Sequence, residues 1–87
     1  MNTQQYVTET RPHPFMAGEQ TVYRFPNGYG ASVIPVMDYL TDGIVEGLHE
    51  VAIIKDDEIV YDTPLTDDVI RVETEGLPAL LESIATL

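Results

Sequence analysis

The stretch FPNGYGASV, residues 25–33, narrows the possible folds most. Two runs rich in β-branched and aromatic residues, TVYRF at 21–25 and ASVIPV at 31–36, flank an Asn-Gly pair. Asn and Gly tolerate the positive φ that a tight turn between antiparallel strands demands, so the segment predicts a β-hairpin with Asn27 and Gly28 in the positive-φ positions. Pro26 before the pair and Gly30 after it point to a loop longer than two residues, with Gly30 relieving a bulge. Pro35 lacks the N–H that a ladder needs, which assigns it to a sheet edge or a strand end.

Residues 37–47 contain Leu40 and Ile44 at helical spacing with Leu48 beyond them, but Gly43 and Gly47 each weaken a helix by about 1 kcal/mol relative to Ala. We read this segment as a loop, or a loop with one helical turn. Leu48 to Lys55 and Ile59 to Tyr61 form the arms of a second hairpin, whose turn is the acidic triplet Asp56, Asp57 and Glu58. In its first arm the two-residue period puts Leu48, Glu50, Ala52 and Ile54 on one face and Val51 and Ile53 on the other. Both faces carry apolar groups, as in a central strand, or in a strand with a helix on one side and a partner on the other. The segment DTPLTDDVIRVETEG, 62–76, carries a candidate cap at Thr66 and an apolar run of Val69, Ile70 and Val72 that suits a short helix or a further strand.

At the C-terminus Leu77, Leu80, Leu81 and Ile84 follow the i, i+3, i+4, i+7 spacing of one helix face, and Pro78 sits where a first helical turn has no use for its missing N–H. Residues 1–18 are polar, with Pro12 and Pro14 bracketing His13, and read as a flexible N-terminal arm whose Tyr6, Phe15 and Met16 are its docking groups. The expected architecture is α+β: a single domain over 19–87 with a small antiparallel sheet of about four strands, in two hairpins, and the C-terminal helix packed on one face.

A chain of 87 residues buries only somewhat over 60% or so of its unfolded surface, so its core is thin. Cysteine is absent, which removes disulfides and thiolate metal sites as reinforcement. The 44% hydrophobic and 22% charged composition is that of a folded protein rather than an acidic disordered chain. No apolar segment approaches the roughly 20 residues that cross a bilayer, and the expected location is the cytoplasm.

Charge is distributed unevenly along the chain. Residues 1–37 balance Glu9 and Glu19 against Arg11 and Arg24, whereas residues 38–87 set thirteen carboxylates against Lys55 and Arg71 and carry the whole net charge of −11. Such a field repels nucleic acid and acidic membranes and attracts basic surfaces. The acids around 56–68 do not follow the spacing of a calcium loop, and acid–base catalysis would need a cleft that separates two carboxyl pKa values. Two histidines, His13 and His49, are too few for zinc without cysteine. Ser32 has no nucleophile-elbow context, and PNGYG lacks the lysine of a phosphate loop. We therefore expect no catalytic residues, no metal and no cofactor. The residues with the strongest claim to function are Asp56, Asp57, Glu58, Asp62, Asp67 and Asp68, with Tyr61 as an aromatic anchor beside them. Tyr23, Tyr29 and Tyr39 suit an interface as well, although packing in a small sheet explains Tyr23 and Tyr61 equally well.

Phe25 to Val33, Gly47 to Ile53 and Tyr61 to Val69 together resemble small uncharacterised proteins encoded by bacteriophages and prophages, in which an F-x-N-G-Y-G-A-S-V hairpin is followed by a G-L-x-E-x-A-V-L-like strand and a Y-D-T-P-[IL]-T-D-D-V turn. The resemblance covers residues 22–87, leaves out the N-terminal arm, and implies a setting in the host bacterial cytoplasm but no mechanism. With the charge, it leads us to expect a non-enzymatic, phage-type protein that binds a host, defence or phage protein with a basic surface, as an inhibitor or nucleic-acid mimic, without touching nucleic acid or membrane itself. The alternative is a structural module, a homodimer or a component of a phage assembly. Its motive is the two-faced strand from Val51 to Lys55, because self-association buries surface that a short chain cannot bury alone.

Overall fold

The structure is a computed structural model that describes residues 3–12, 18–38, 40–41, 43–66 and 68–87. A 3-10 turn, Thr3–Tyr6, leads into β1 (Val7–Pro12), β2 (Glu19–Arg24), β3 (Tyr29–Asp38), β4 (Gly43–Lys55), β5 (Glu58–Ile59) and β6 (Ile70–Glu73), and a second 3-10 turn, Thr74–Gly76, opens the helix α1 (Leu77–Ala85). All six strands join one antiparallel sheet in the order β1-β2-β3-β4, with β5 and β6 both pairing β4 on the side away from β3. The architecture is the expected α+β sheet with a C-terminal helix, but the described residues form six strands rather than about four.

The two extra strands come from segments with weak local signals. Residues 7–12, expected to be part of an arm, form β1 along the β2 edge, with Thr10 opposite Thr21 and Arg11 opposite Gln20. Their polar alternation suits an edge strand open to solvent on most of its length, and Pro12 ends it where no donor is needed. Residues 70–73, ambiguous between helix and strand, form β6 because Ile70 and Val72 fall opposite Val51 and His49, on the face that the helix covers. His13, Phe15, Met16, Tyr39 and Asp67 lie outside the described residues.

The segment expected to be a loop at 37–47 is instead largely strand. β3 continues to Asp38 and β4 begins at Gly43, with Val36, Met37 and Asp38 opposite Val45, Ile44 and Gly43. Between Pro35, opposite His49, and Val36, opposite Val45, the register jumps, and the surplus residues of β4 bulge around Gly47 at φ +80°. The bulge explains how a proline lies inside a strand rather than at its end. Pairing with β2 stops at Val33, two residues before Pro35, and the register with β4 shifts immediately after Pro35, so the proline lies where the ladders on both sides of β3 are interrupted.

The first hairpin forms as expected, with a different turn. Gly28 N–H donates to the Phe25 carbonyl at 3.1 Å and Phe25 N–H to the Tyr29 carbonyl at 2.8 Å. Gly28 alone takes a positive φ, +88°, while Asn27 does not. The asparagine side chain is used instead. Its Oδ1 accepts from Tyr29 N–H at 3.1 Å, and its Nδ2 donates to the carbonyls of Ile84 at 2.9 Å and Leu87 at 3.3 Å, so one residue closes the turn and caps the C-terminal end of α1. Gly30 is paired regularly between Arg24 and Ile54 and relieves no bulge. A Cβ there would overlap the Tyr23 carbonyl oxygen, so the close approach of β2 requires glycine.

The core lies between the sheet and α1. Tyr23, Phe25, Ala31, Val33, Val51 and Ile53 project from the sheet onto Leu81 and Ile84, and Leu77, Leu80 and Val72 pack around them. Burying each large aliphatic side chain contributes about 1.5–3 kcal/mol, which is why a nine-residue helix, too short to persist alone, is held in place. Tyr6 closes the N-terminal side edge-on to Phe25, with ring centroids 5.6 Å apart. The alternation expected of β4 is observed: Val51 and Ile53 enter this core, while Glu50, Ala52 and Ile54 face the side away from α1.

Candidate functional site

The acids singled out by sequence begin at the β4–β5 turn. Asp56 and Asp57 both have positive φ, +54° and +65°, the two-residue geometry whose twist matches the strands it joins. The turn is therefore this pair alone, and Glu58 is the first residue of β5, opposite Lys55. Asp tolerates the left-handed region because its short carboxylate bonds locally. The Lys55 ammonium lies 5.0 Å from the centroid of the Tyr29 ring, a cation–π contact.

Asp57 is the exception within the acidic run. Arg24, thirty-three residues earlier, donates to Asp57 Oδ1 through Nε at 3.0 Å and through Nη2, and to Thr8 Oγ1 at 2.7 Å, with Glu9 a further 3.9 Å neighbour. The Arg24 pKa is raised, first by the hydrogen bond to Asp57, with desolvation opposing it and the charges of Asp57 and Glu9 adding to it. A raised cation pKa stabilises the fold at every pH below the ordinary arginine value and is lost only as pH rises through the folded one, so this contact persists across the neutral range.

Beyond β5 the chain runs along the outer edge of β4. Val60 N–H donates to the Ile53 carbonyl at 2.9 Å, and Tyr61 stands 52% exposed, with Asp62 exposed beside it. Thr63 Oγ1 accepts from Thr66 N–H at 3.3 Å and donates to its carbonyl at 3.1 Å. Thr66 Oγ1 accepts from Asp68 N–H at 3.1 Å. Thr66 therefore fixes a loop rather than starting a helix. Asp68 Oδ1 accepts from Val69 N–H at 2.7 Å, which orients that side chain. Asp67 lies outside the described residues.

Because β6 returns beside β5 on the same edge of β4, two acids that the sequence reading passed over, Glu73 in β6 and Glu75 in the following 3-10 turn, join the group. Their signal was present in the acidic VETEG run, but only the pairing of β6 places it. Along the edge, Asp56, Glu58, Asp62, Asp68, Glu73 and Glu75 are exposed and make no ion pair among the described residues, whereas the nearby Arg71 is occupied by Glu50 at 3.0 Å. Among the described residues no three of His, Asp or Glu are placed to hold a metal ion, and every buried side-chain polar atom has a partner. His49 meets Thr74 Oγ1 at 3.0 Å, and Ser32 accepts from Gln20 Nε2 at 2.8 Å.

What this arrangement offers is a group of exposed, unpaired carboxylates with exposed Tyr61, spread over β5, β6, the loop between them and the turns at either end. Among the described residues no helix is long and apolar enough to cross a membrane. Comparison with protein-family models, with curated proteins and with solved structures finds no match for the chain.

Proposed function

We propose that this chain is a non-enzymatic, phage-type protein that binds a host or defence protein with a basic surface in the bacterial cytoplasm. It occupies there a groove that otherwise receives nucleic-acid phosphates. The observation that supports this reading is the stretch from Asp56 to Glu75, in which Asp56, Glu58, Asp62, Asp68, Glu73, Glu75 and Tyr61 are exposed and no cation pairs with the carboxylates among the described residues. Clustered carboxylates raise the association rate with a cationic surface, and an exposed tyrosine supplies apolar area with a polar tip to such an interface. Asp57 contributes less than its neighbours because Arg24 already compensates it.

Affinity capture from host lysate tests the proposal when the wild type is compared with a variant carrying Asp56→Asn, Glu58→Gln, Asp62→Asn, Asp68→Asn, Glu73→Gln and Glu75→Gln. The wild type is expected to retain a basic protein that the variant loses. Affinity should fall as salt rises from about 50 mM to about 300 mM, because the Debye length shortens over that range. A partner held equally by both forms sinks the proposal.

A further inference from the structure

The turn that closes the first hairpin also holds a reactive pair. In Asn27-Gly28 the backbone nitrogen of the second residue can attack the side-chain carbonyl of the first, because glycine has no Cβ to keep it away, and water completes the loss of the amide. The chain's other asparagine, Asn2, precedes Thr3, whose branched Cβ hinders the same approach. At Gly28 nothing stands within 4 Å of the place a Cβ would take, so space for the ring is present.

The hydrogen bonds of the folded turn oppose that reaction. Gly28 N–H donates to the Phe25 carbonyl at 3.1 Å, and a proton engaged in this way is not readily surrendered. Asn27 Oδ1 accepts from Tyr29 N–H at 3.1 Å, while Nδ2 donates to the carbonyls of Ile84 at 2.9 Å and Leu87 at 3.3 Å, so the carboxamide cannot rotate onto the Gly28 nitrogen without breaking bonds. Both Nδ2 bonds end at the C-terminus of α1. That helix has nine residues and persists through the burial of Leu81 and Ile84. Its undocking releases the side chain.

We infer that Asn27 is a hydrolytic modification site gated by α1, suppressed while the helix is docked and reactive when it lifts. The Gly28 nitrogen, having given its proton to hydroxide, forms a bond to Asn27 Cγ. The Cγ–Nδ2 bond breaks, and the nitrogen leaves as ammonia with a proton from water. Water then opens the cyclic imide at either carbonyl and leaves aspartate or isoaspartate at position 27, so that overall a water is consumed and an ammonia released. The product does not restore the cap. A donor to two carbonyls becomes a carboxylate facing them, at the helix end where the dipole disfavours negative charge. Isoaspartate also lengthens the main chain by a methylene, which shifts Gly28 N–H off the Phe25 carbonyl. Each reaction thus makes the next undocking of α1 easier and is not reversed by refolding.

Incubating the full chain in mildly alkaline buffer, native or unfolded in about 6 M guanidinium chloride, tests this. Intact mass follows the gain of about 1 Da per event, and peptide mapping assigns it to Asn27 rather than Asn2. The unfolded chain is expected to react about tenfold faster or more, because the native rate is scaled down by the fraction of molecules with the helix open. Leu81→Ala, which loosens the seat of α1 without touching the turn, should raise the native rate. Should that variant not fold, guanidinium held below the unfolding transition is expected to do the same to the wild type. The reacted chain, separated by its extra negative charge, and Asn27→Asp should both show faster amide hydrogen exchange across α1 than the unreacted wild type. Equal rates in native and unfolded chains, a native rate insensitive to loosening of α1, or a product whose helix exchanges as slowly as the wild type overturns the inference.

Discussion

Replacing Gly30 with alanine probes the most crowded point of the sheet. Gly30 is buried in β3, paired with Arg24 of β2 and Ile54 of β4. A Cβ at this position would overlap the Tyr23 carbonyl oxygen and lie 3.0 and 3.2 Å from Ile54 Cγ1 and Cδ1. The isoleucine can change rotamer, but the carbonyl belongs to the backbone of the neighbouring strand and moves only if β2 is displaced from β3. Overpacking costs about 1–3 kcal/mol, and an obstacle that is backbone rather than side chain places this case at the upper end, about 3 kcal/mol. For a domain of this size that lowers Tm by about 12 °C or more. Gly28→Ala separates sterics from conformation. Gly28 has φ +88° and nothing within 4 Å of its Cβ position, so its cost is that of the left-handed backbone alone, about 1 kcal/mol. Urea denaturation of both variants, with m unchanged, gives the comparison directly. Should Gly30→Ala lose less stability than Gly28→Ala, the close approach of β2 and β3 is not what demands glycine, and the reasoning fails.

Asn27→Ala removes the bonds to Tyr29 N–H and to the Ile84 and Leu87 carbonyls, and thermal unfolding is expected to register a loss of about 1–2 kcal/mol, since the site is partly exposed to water that replaces some of them. Ile84→Ala, at a fully buried position under the sheet, should cost about 2–5 kcal/mol in urea titration, against about 0.5–1.5 kcal/mol for Ile84→Val.

Local periodicity carried much of the fold. The Asn-Gly hairpin, the alternation of β4 and the apolar stripe of α1 are patterns of period 2 or 3.6 that any window of the chain contains, and each appears where it was expected. Where the reading failed, the deciding contact was remote. The glycines at 43 and 47 argued against a helix, but they did not reveal that a bulge around Gly47 lets β4 continue past Pro35. Thr66 has the residue type of a cap and serves a loop. The polar run at 7–12 has no amphipathic signal, and becomes a strand because β2 offers an open edge.

At the acidic margin the contrast is sharper. That the second half of the chain is acidic, and that Asp56 opens a tight turn, follow from residue identity. That Arg24 withdraws Asp57 from the group, while Glu73 and Glu75 enter it, depends on which strands become neighbours. Covalent spacing and side-chain chemistry were enough for the first hairpin, the two faces of β4 from Leu48 onward, the C-terminal helix and the sign of the charge. The pairing of β1 with β2 and of β6 with β4, and hence which charges cancel, follows from the folded arrangement alone. Strand partners are chosen by competition among edges far apart in the chain, and electrostatic pairing falls off over a few ångströms, a distance that sequence separation does not measure.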